Sequence, residues 1–459
     1  MKTVFIKTYG CQMNERDSEA VGAMLRARGY ALSRREDEAD VILLNTCSVR
    51  DMAEQKALGK MGRLRALKRQ KPGLVLGYLG CMAQSRGAAL LGDPPGVDLV
   101  VGTQRFHHVP DHLDQIFARR QAAADRYDQQ LQSIVDVAEE AGSESTIRDH
   151  LLGTNGDRQV TAFVSIMQGC DMHCAFCIVP ATRGRERSRP IPEIVAEIER
   201  LVADGVREVT LLGQIVTSYG RKTIRQKQGR SGFVQLLEAV HAVPGLERLR
   251  FTSPHPKGFG DDLVAAYRDL PRLCEHAHLP VQSGANRILQ RMKRGYTREW
   301  YLEVVEKLRA ARPAIAITTD VIVGFPGETD AEFAETATLM QQIGFDQAYI
   351  FKYSPRQDTP AAALPGQVPE PVREERNQRL LQIINDQLLR RNQGLVGQTV
   401  EILVEGHSPR RPERMFGRTR TNIGVVFAGQ ERQRGQLLPV RIERATTVTL
   451  YGDAVIHGT

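Results

Sequence analysis

The sequence predicts an α/β protein in three parts: an open parallel sheet, a partial (β/α) barrel and a small C-terminal all-β barrel. Three observations lead there. Apolar runs alternate with helix-like stretches in the first hundred or so of 459 residues, which is the rhythm of a parallel sheet covered by helices. A second such series fills the middle of the chain. The end of the chain carries alternating apolar and polar residues between turn signals, the pattern of short antiparallel strands.

In the N-terminal part, strands are expected at Val4-Phe5-Ile6, Val41-Ile42-Leu43-Leu44, Leu74-Val75-Leu76 and Leu99-Val100-Val101, with helices at about Glu15–Arg28 and Met52–Arg69. Cys11, Cys47 and Cys81 each fall just past the carboxyl end of one of these strands. Ligands bind at that edge of an open α/β sheet, so three thiols distant in sequence are expected to meet on one rim and to hold a metal cluster. The competing reading is that they are buried hydrophobes, as free cysteine often is. Their polar or glycine-containing surroundings, Gly10-Cys11-Gln12, Thr46-Cys47-Ser48 and Gly80-Cys81-Met82, favour the cluster. Residues 119–157 break the rhythm with an alanine run, acidic Asp136-Val137-Ala138-Glu139-Glu140 and a polar stretch, and are expected to link the domains and to be ordered only in part. This sets domain limits at 1–118, 119–157, 158–390 and 391–457.

In the central part, apolar runs at 162–167, 209–212, 249–251, 277–281, 315–323 and 348–351 alternate with helical patterns at 192–202, 261–270, 300–311 and 331–343. That number of units suits an open partial barrel better than a closed eightfold one. Just after the first strand comes Cys170-x3-Cys174-x2-Cys177. Three thiolates suit a cubane iron-sulfur cluster with one iron left open. Zinc prefers four ligands, and His173 inside the loop is poorly placed to close a tetrahedron. A disulfide framework fits badly with seven cysteines and no secretory leader; a cytoplasmic protein is expected. Cys274, beside an apolar segment, reads as core.

A long amphipathic helix at about 371–392 leads into strands at 399–405, 424–427 and 437–442. Lysine and arginine exceed acidic residues by 62 − 54 = 8 over the chain. Residues 391–459 hold ten arginines and six acidic residues, so half of the excess lies there. A basic small barrel fits a nucleic-acid partner, though a purely structural barrel has the same pattern. Arg183, Arg185, Arg187 and Arg189 alternate after the cysteine triplet. If extended, they would face one side as a phosphate rail; a solvated loop is the plainer alternative. The basic loop Arg221–Lys227 is a further candidate.

These landmarks resemble the methylthiotransferase family of the radical S-adenosylmethionine superfamily over nearly the whole chain. The triplet with Phe176 before its last cysteine resembles the superfamily signature. Thr8-Tyr9-Gly10-Cys11-Gln12-Met13-Asn14 and Asn45-Thr46-Cys47-Ser48-Val49-Arg50 look like the tRNA-modifying branch that acts on N6-isopentenyladenosine. The resemblance implies a flavodoxin-like N-terminal domain, a C-terminal barrel of the TRAM type that grips the anticodon arm of tRNA, two 4Fe-4S clusters and S-adenosyl-L-methionine. It implies Cys11, Cys47 and Cys81 as ligands of an auxiliary cluster, and Cys170, Cys174 and Cys177 as ligands of the radical cluster. One molecule of the cofactor would give a methyl group to sulfur on the auxiliary cluster; another would give the radical that removes hydrogen from carbon 2 of the base. Phe176, Gly213, Gln214, Gln282, Ser283, Gly324 and Glu328 look like cofactor-binding positions. Ile215-Val216-Thr217 stand where relatives often carry asparagines, and Ala181 where tyrosine is common. The sulfur source and reducing partner are not readable, and a monomer is expected.

Overall fold

The computed structural model describes residues 1–48, 51–92, 96–122, 133–151 and 159–455. Val49-Arg50 of the second cysteine motif, and the stretches 123–132 and 152–158 of the expected linker, lie outside the described residues.

Six strands form the N-terminal sheet: β1 (Thr3–Tyr9), β2 (Ala31–Leu32), β3 (Val41–Thr46), β4 (Val75–Gly80), β5 (Leu99–Val101) and β6 (Ile134–Asp136). They run parallel in the order β2-β1-β3-β4-β5-β6, the doubly wound arrangement with a switch point at β1 and β3. Alternate residues of each strand point to opposite faces. Val41 and Leu43 pack under α1 (Gln12–Ala27) and α4 (Val109–Ala122), while Ile42 and Leu44 pack under α2 (Asp51–Gln70) and α3 (Cys81–Arg86). Both faces are covered, which is why the strand reads as an unbroken apolar run. Burying each such side chain contributes roughly 1.5–3 kcal/mol.

The segment 119–157 differs from expectation. Its beginning continues α4 to Ala122, and Ile134–Asp136 extends the sheet by pairing with β5. Three residues, of which only two are apolar, give too short a run to separate a strand from a loop by periodicity.

The central domain opens with β7 (Thr161–Ser165) and the short β8 (Met167–Gln168), followed by α5 (Val179–Arg183), β9 (Arg187–Ser188) and α6 (Ile191–Ala203). Then come β10 (Glu208–Leu212), α7 (Gly232–His241), β11 (Arg248–Phe251), α8 (Asp261–Asp269) and β12 (His276–His278). The series ends with α9 (Asn286–Arg291), α10 (Arg298–Ala311), β13 (Ala316–Val323), α11 (Asp330–Ile343), β14 (Gln347–Lys352) and the long α12 (Glu370–Gln393). Strands β7, β10 and β11 form one parallel trio, and β12, β13 and β14 another. The bond from Cys274 N to Leu249 O, 3.0 Å, joins them into one arc. The arc stays open, with β7 and β14 at its two ends.

Strands β15 (Thr399–His407), β16 (Met415–Thr419), β17 (Gly424–Ala428), β18 (Leu437–Ala445) and β19 (Thr449–Ala454) close into the C-terminal barrel. It is filled by Ile402, Val404, Met415, Val425, Phe427, Val440, Ile442 and Leu450. The turn after β16 seats on the amino ends of the central strands. Arg248 donates to Arg418 O at 2.6 Å, and Arg250 donates to Thr419 O and Arg420 O, both at 2.8 Å. Arg420 in return pairs with Glu275 at 2.6 Å. No helix among the described residues is long and apolar enough to cross a membrane.

Candidate active site: two cysteine trios on one domain seam

Register brings the N-terminal trio together. Tyr9 pairs with Thr46 across β1 and β3, and Thr46 pairs with Gly80 across β3 and β4, so the three strands end side by side. Cys47 and Cys81 are the next residues after two of these ends and Cys11 lies one further, where it caps α1 with extended backbone. Two glycines make room. A side chain on Gly80, which holds φ 90°, would overlap Asn45 Oδ1, and one on Gly10 would meet Asn14 and Cys47. Behind the sulfurs, Asn14 and Asn45 are fully buried and bonded to each other, with Asn14 Nδ2 donating to Asn45 Oδ1 at 3.1 Å and Asn45 Nδ2 to Asn14 O at 2.9 Å. A hydrogen bond with Cys47 draws the Cys11 thiol down to about 6; burial opposes this, and the charge of Arg183 assists it. Burial pushes the Cys81 thiol up, against the pull of Arg183.

The central trio follows β8 at the carboxyl edge of the arc. Its loop is tied by Cys170 N to Gly184 O at 3.1 Å and Ala175 N to Met292 O at 3.0 Å. Met172 N donates to Cys170 Sγ at 3.3 Å, and the buried Arg294 donates from Nη1 to Cys174 Sγ, also at 3.3 Å. Burial raises the Cys170 thiol to about 11 and the Cys177 thiol to about 12; the charges of the neighbouring cysteines reinforce both shifts. Sulfur so placed becomes thiolate when a metal supplies the missing positive charge.

Each trio offers three thiol sulfurs, the soft donor set that iron-sulfur clusters select. His173 is exposed, and Cys274 is buried in the core as expected.

The two trios share one seam. Helix α3, which begins at Cys81, packs against α5, which begins two residues after Cys177. Thr103 donates to Thr182 O at 2.6 Å across the same seam. Below it lies a buried charged network. Arg16 of α1 donates to Ile147 O and Asp149 O, while His150 bridges Glu19 at 3.2 Å and Glu197 at 2.8 Å.

The arginine rail is not formed. Arg183 is 3% exposed and bonded to Asp17 at 2.6 Å; Arg189 is 1% exposed and held by Ser165 O and Glu197. Arg187 pairs with Glu144 at 2.9 Å. Arg185 is the one of the four that is largely exposed, meeting Asp171 at 3.0 Å beside Lys222 of the second basic loop. The alternation fails because 179–183 is helical and Gly184 turns the chain at φ 72°, so Arg183 does not share the period-two facing of Arg187 in β9.

The expected cofactor positions lie at the carboxyl edge. Phe176 packs against the cluster of Ile288, Met292, Phe325 and Tyr353. Gly213 leaves no room for a side chain against Met167. Gln282 holds φ 73°, a left-handed conformation uncommon outside glycine. Ser283 is turned inward to Thr336 at 3.3 Å, and Gly324 N donates to Glu328 Oε2 at 2.7 Å, which also pairs with Arg376 at 2.8 Å. Glu328 Oε1, Gln214 Oε1, both amide atoms of Gln168 and His255 Nε2 are buried with no hydrogen-bond partner among the described residues. Gln168, His255 and Arg294 carried no signal in the sequence; Asn14 and Asn45 lay inside the quoted motifs without an assigned role. Ile215 and Val216 are core, so the missing asparagines are replaced by packing.

Residues 164–340 match the radical SAM superfamily, residues 3–102 a family described as "Uncharacterized protein family UPF0004", and residues 393–455 the TRAM domain. With these matches the fold and the site define a radical S-adenosylmethionine enzyme of the methylthiotransferase class. Over 477 aligned residues it is 56% identical to the tRNA-2-methylthio-N(6)-dimethylallyladenosine synthase of Opitutus terrae, covering 100% of this chain and 98% of that one. It is 52% identical over 458 residues to the synthase of the same name from Akkermansia muciniphila, covering 98% of each. The chain belongs to the family of tRNA-2-methylthio-N(6)-dimethylallyladenosine synthases. Among solved structures, the radical S-adenosylmethionine methyltransferase TsrM from Kitasatospora setae superposes with TM-score 0.56 at 14% identity, over 79% of this chain and 75% of that one, a likeness of fold.

Proposed function

We propose that the enzyme methylthiolates carbon 2 of N6-isopentenyladenosine beside the anticodon of tRNA, using two 4Fe-4S clusters and two molecules of S-adenosyl-L-methionine. The observation that carries this reading is the convergence of two separate thiol trios on one seam. Cys170, Cys174 and Cys177 would hold the cluster that receives S-adenosylmethionine; Cys11, Cys47 and Cys81 would hold the auxiliary one. When bound, these groups supply the electron, the radical and the methyl group, because an aromatic C–H bond is too inert for any side-chain base.

The chain's own residues position and insulate. Glu328 Oε1, Gln214 Oε1, Gln168 and His255 Nε2 are buried acceptors and donors without partners among the described residues, each costing about 1–3 kcal/mol if left so. A polar cofactor that takes up those bonds removes the cost. Phe176 offers an aromatic face for the adenine, and the turn at Gln282-Ser283 and the bend at Gly324 offer backbone to the ribose side. The TRAM barrel and the exposed Arg185 and Lys222 serve the phosphates of the anticodon arm. A cytoplasmic monomer fits this scheme.

Mass spectrometry of hydrolysed tRNA from cells lacking the gene tests the target: 2-methylthio-N6-isopentenyladenosine should disappear and the unmodified isopentenyladenosine accumulate. Retention of that nucleoside with loss of the methylthio group from another tRNA adenosine or from a ribosomal protein would reassign the substrate. Failure of reduced, anaerobically reconstituted protein to cleave S-adenosylmethionine would favour a non-catalytic iron-sulfur RNA-binding role.

A further inference from the structure

Arg183 belongs to the central domain by sequence and to the N-terminal trio by position. It ends α5, six residues beyond Cys177, yet its side chain crosses the seam and is buried at 3% exposure. There it forms a two-pronged ion pair with Asp17, Nη2 to Oδ2 at 2.6 Å and Nη1 to Oδ1 at 3.4 Å. Asp17 is fully buried on α1, the helix capped by Cys11. Helix α3, which begins at Cys81, packs against α5, which Arg183 ends, and the charge of the guanidinium acts on both the Cys81 and the Cys11 thiols. The central trio has its own counterpart, Arg294 donating to Cys174. Each sulfur set therefore has one buried guanidinium behind it.

We propose that Arg183 is a positioning residue for the auxiliary sulfur centre: a fixed cation, supplied by the central domain and aimed by Asp17, that sets the reduction potential of the cluster held by Cys11, Cys47 and Cys81. The proposal rests on the two-cluster reading above. The physical cause is direct. A cluster on three thiolates is anionic, and reduction adds a further negative charge; hydrogen bonds to its sulfurs and nearby charge tune its potential. A guanidinium cannot lose its proton in a protein, so buried beside the sulfurs it favours the reduced form and withdraws electron density from the thiolates. Asp17 partly cancels that field while fixing its direction. Fastening of α1 is already supplied by Arg16, which bonds Ile147 O and Asp149 O.

The test uses the full chain with Cys170, Cys174 and Cys177 replaced by alanine, so that only the auxiliary cluster is present. After anaerobic reconstitution, iron and sulfide are assayed and the cluster is titrated redox-wise by electron paramagnetic resonance. Arg183→Met should keep about four irons and shift the midpoint to lower potential. Arg183→Lys should fall between it and the parent. Asp17→Asn should shift the midpoint upward, because the opposing charge is gone. A purely structural pair would move both positions the same way or neither, and either result overturns the proposal. If Arg183→Met fails to fold, the opposite shifts of Arg183→Lys and Asp17→Asn still decide, and their absence overturns it. A parent that binds no iron with Arg183 intact would overturn the two-cluster reading itself, a different outcome from a loaded cluster indifferent to residue 183.

Discussion

At the scale of single residues, the cysteines were legible and their supports were not. A cysteine after each of three strands, and a triplet after a fourth, can be read from spacing, because strand ends in a parallel sheet share an edge. Replacing Cys11, Cys47 and Cys81 together, or Cys170, Cys174 and Cys177 together, should each lower bound iron from about eight to about four atoms per chain. Iron analysis of anaerobic protein checks this, and loss of all iron from either variant would mean the trios do not bind independently. The asparagines behind the N-terminal trio depend on tertiary contact across 31 residues, which no local pattern encodes. Asn45→Ala removes donors to Asn14 O and the Ser18 hydroxyl. It leaves the buried Asn14 Nδ2 donor without its Asn45 acceptor, at about 1–3 kcal/mol. It should lower the thermal midpoint and reduce iron on the N-terminal trio while leaving the central trio loaded; Mössbauer counting in two backgrounds, one lacking the central cysteines and one lacking Cys11, Cys47 and Cys81, reads the two separately.

At the scale of elements, helices with a clear apolar stripe and strands with unbroken apolar runs appeared where periodicity placed them, and β6 and α5 did not. Both are short, and their form is set by neighbours: β6 by pairing with β5, α5 by the turn at Gly184 and by Arg183 reaching Asp17. That is why an alternating arginine series was misread as one face. The network joining α1, α6 and the 145–150 segment makes a prediction about pH. His150 is nearly buried; burial alone would lower its imidazole, but its bonds to Glu19 and Glu197 raise it above the ordinary value. A raised folded value means the stabilisation is full below the unfolded pKa of about 6.5 and fades as pH rises through the folded one. The thermal midpoint of the anaerobic holoprotein should therefore exceed that of His150→Gln most at pH about 6, with the gap narrowing above the folded value. A gap that stays constant across that window would show that His150 contributes only neutral hydrogen bonds.

At the scale of the whole molecule, buried arginines hold the three domains in one arrangement, and one of them, Arg183, belonged to the expected phosphate rail. Arg183 fastens the N-terminal seam through Asp17, Arg189 is held within the central domain by Ser165 O and Glu197, and Arg248 and Arg250 fasten the C-terminal barrel to the amino ends of the central strands. The positive charge left for phosphate is therefore smaller than the composition suggests and differently placed: Arg185 and Lys222 beside Asp171 at the mouth of the central trio, and the exposed arginines of the barrel. Each phosphate contact that a basic side chain makes adds roughly 0.7–0.9 to the slope of log affinity against log salt. Arg185→Ala and Lys222→Ala should each weaken tRNA binding with little dependence on tRNA sequence and reduce that slope by about one. Arg187→Ala should leave the slope unchanged, because its guanidinium is committed to Glu144. Fluorescence anisotropy of a labelled anticodon stem-loop across a salt series measures all three. An Arg187 effect equal to that of Arg185 would restore the extended phosphate rail and contradict the pairing observed.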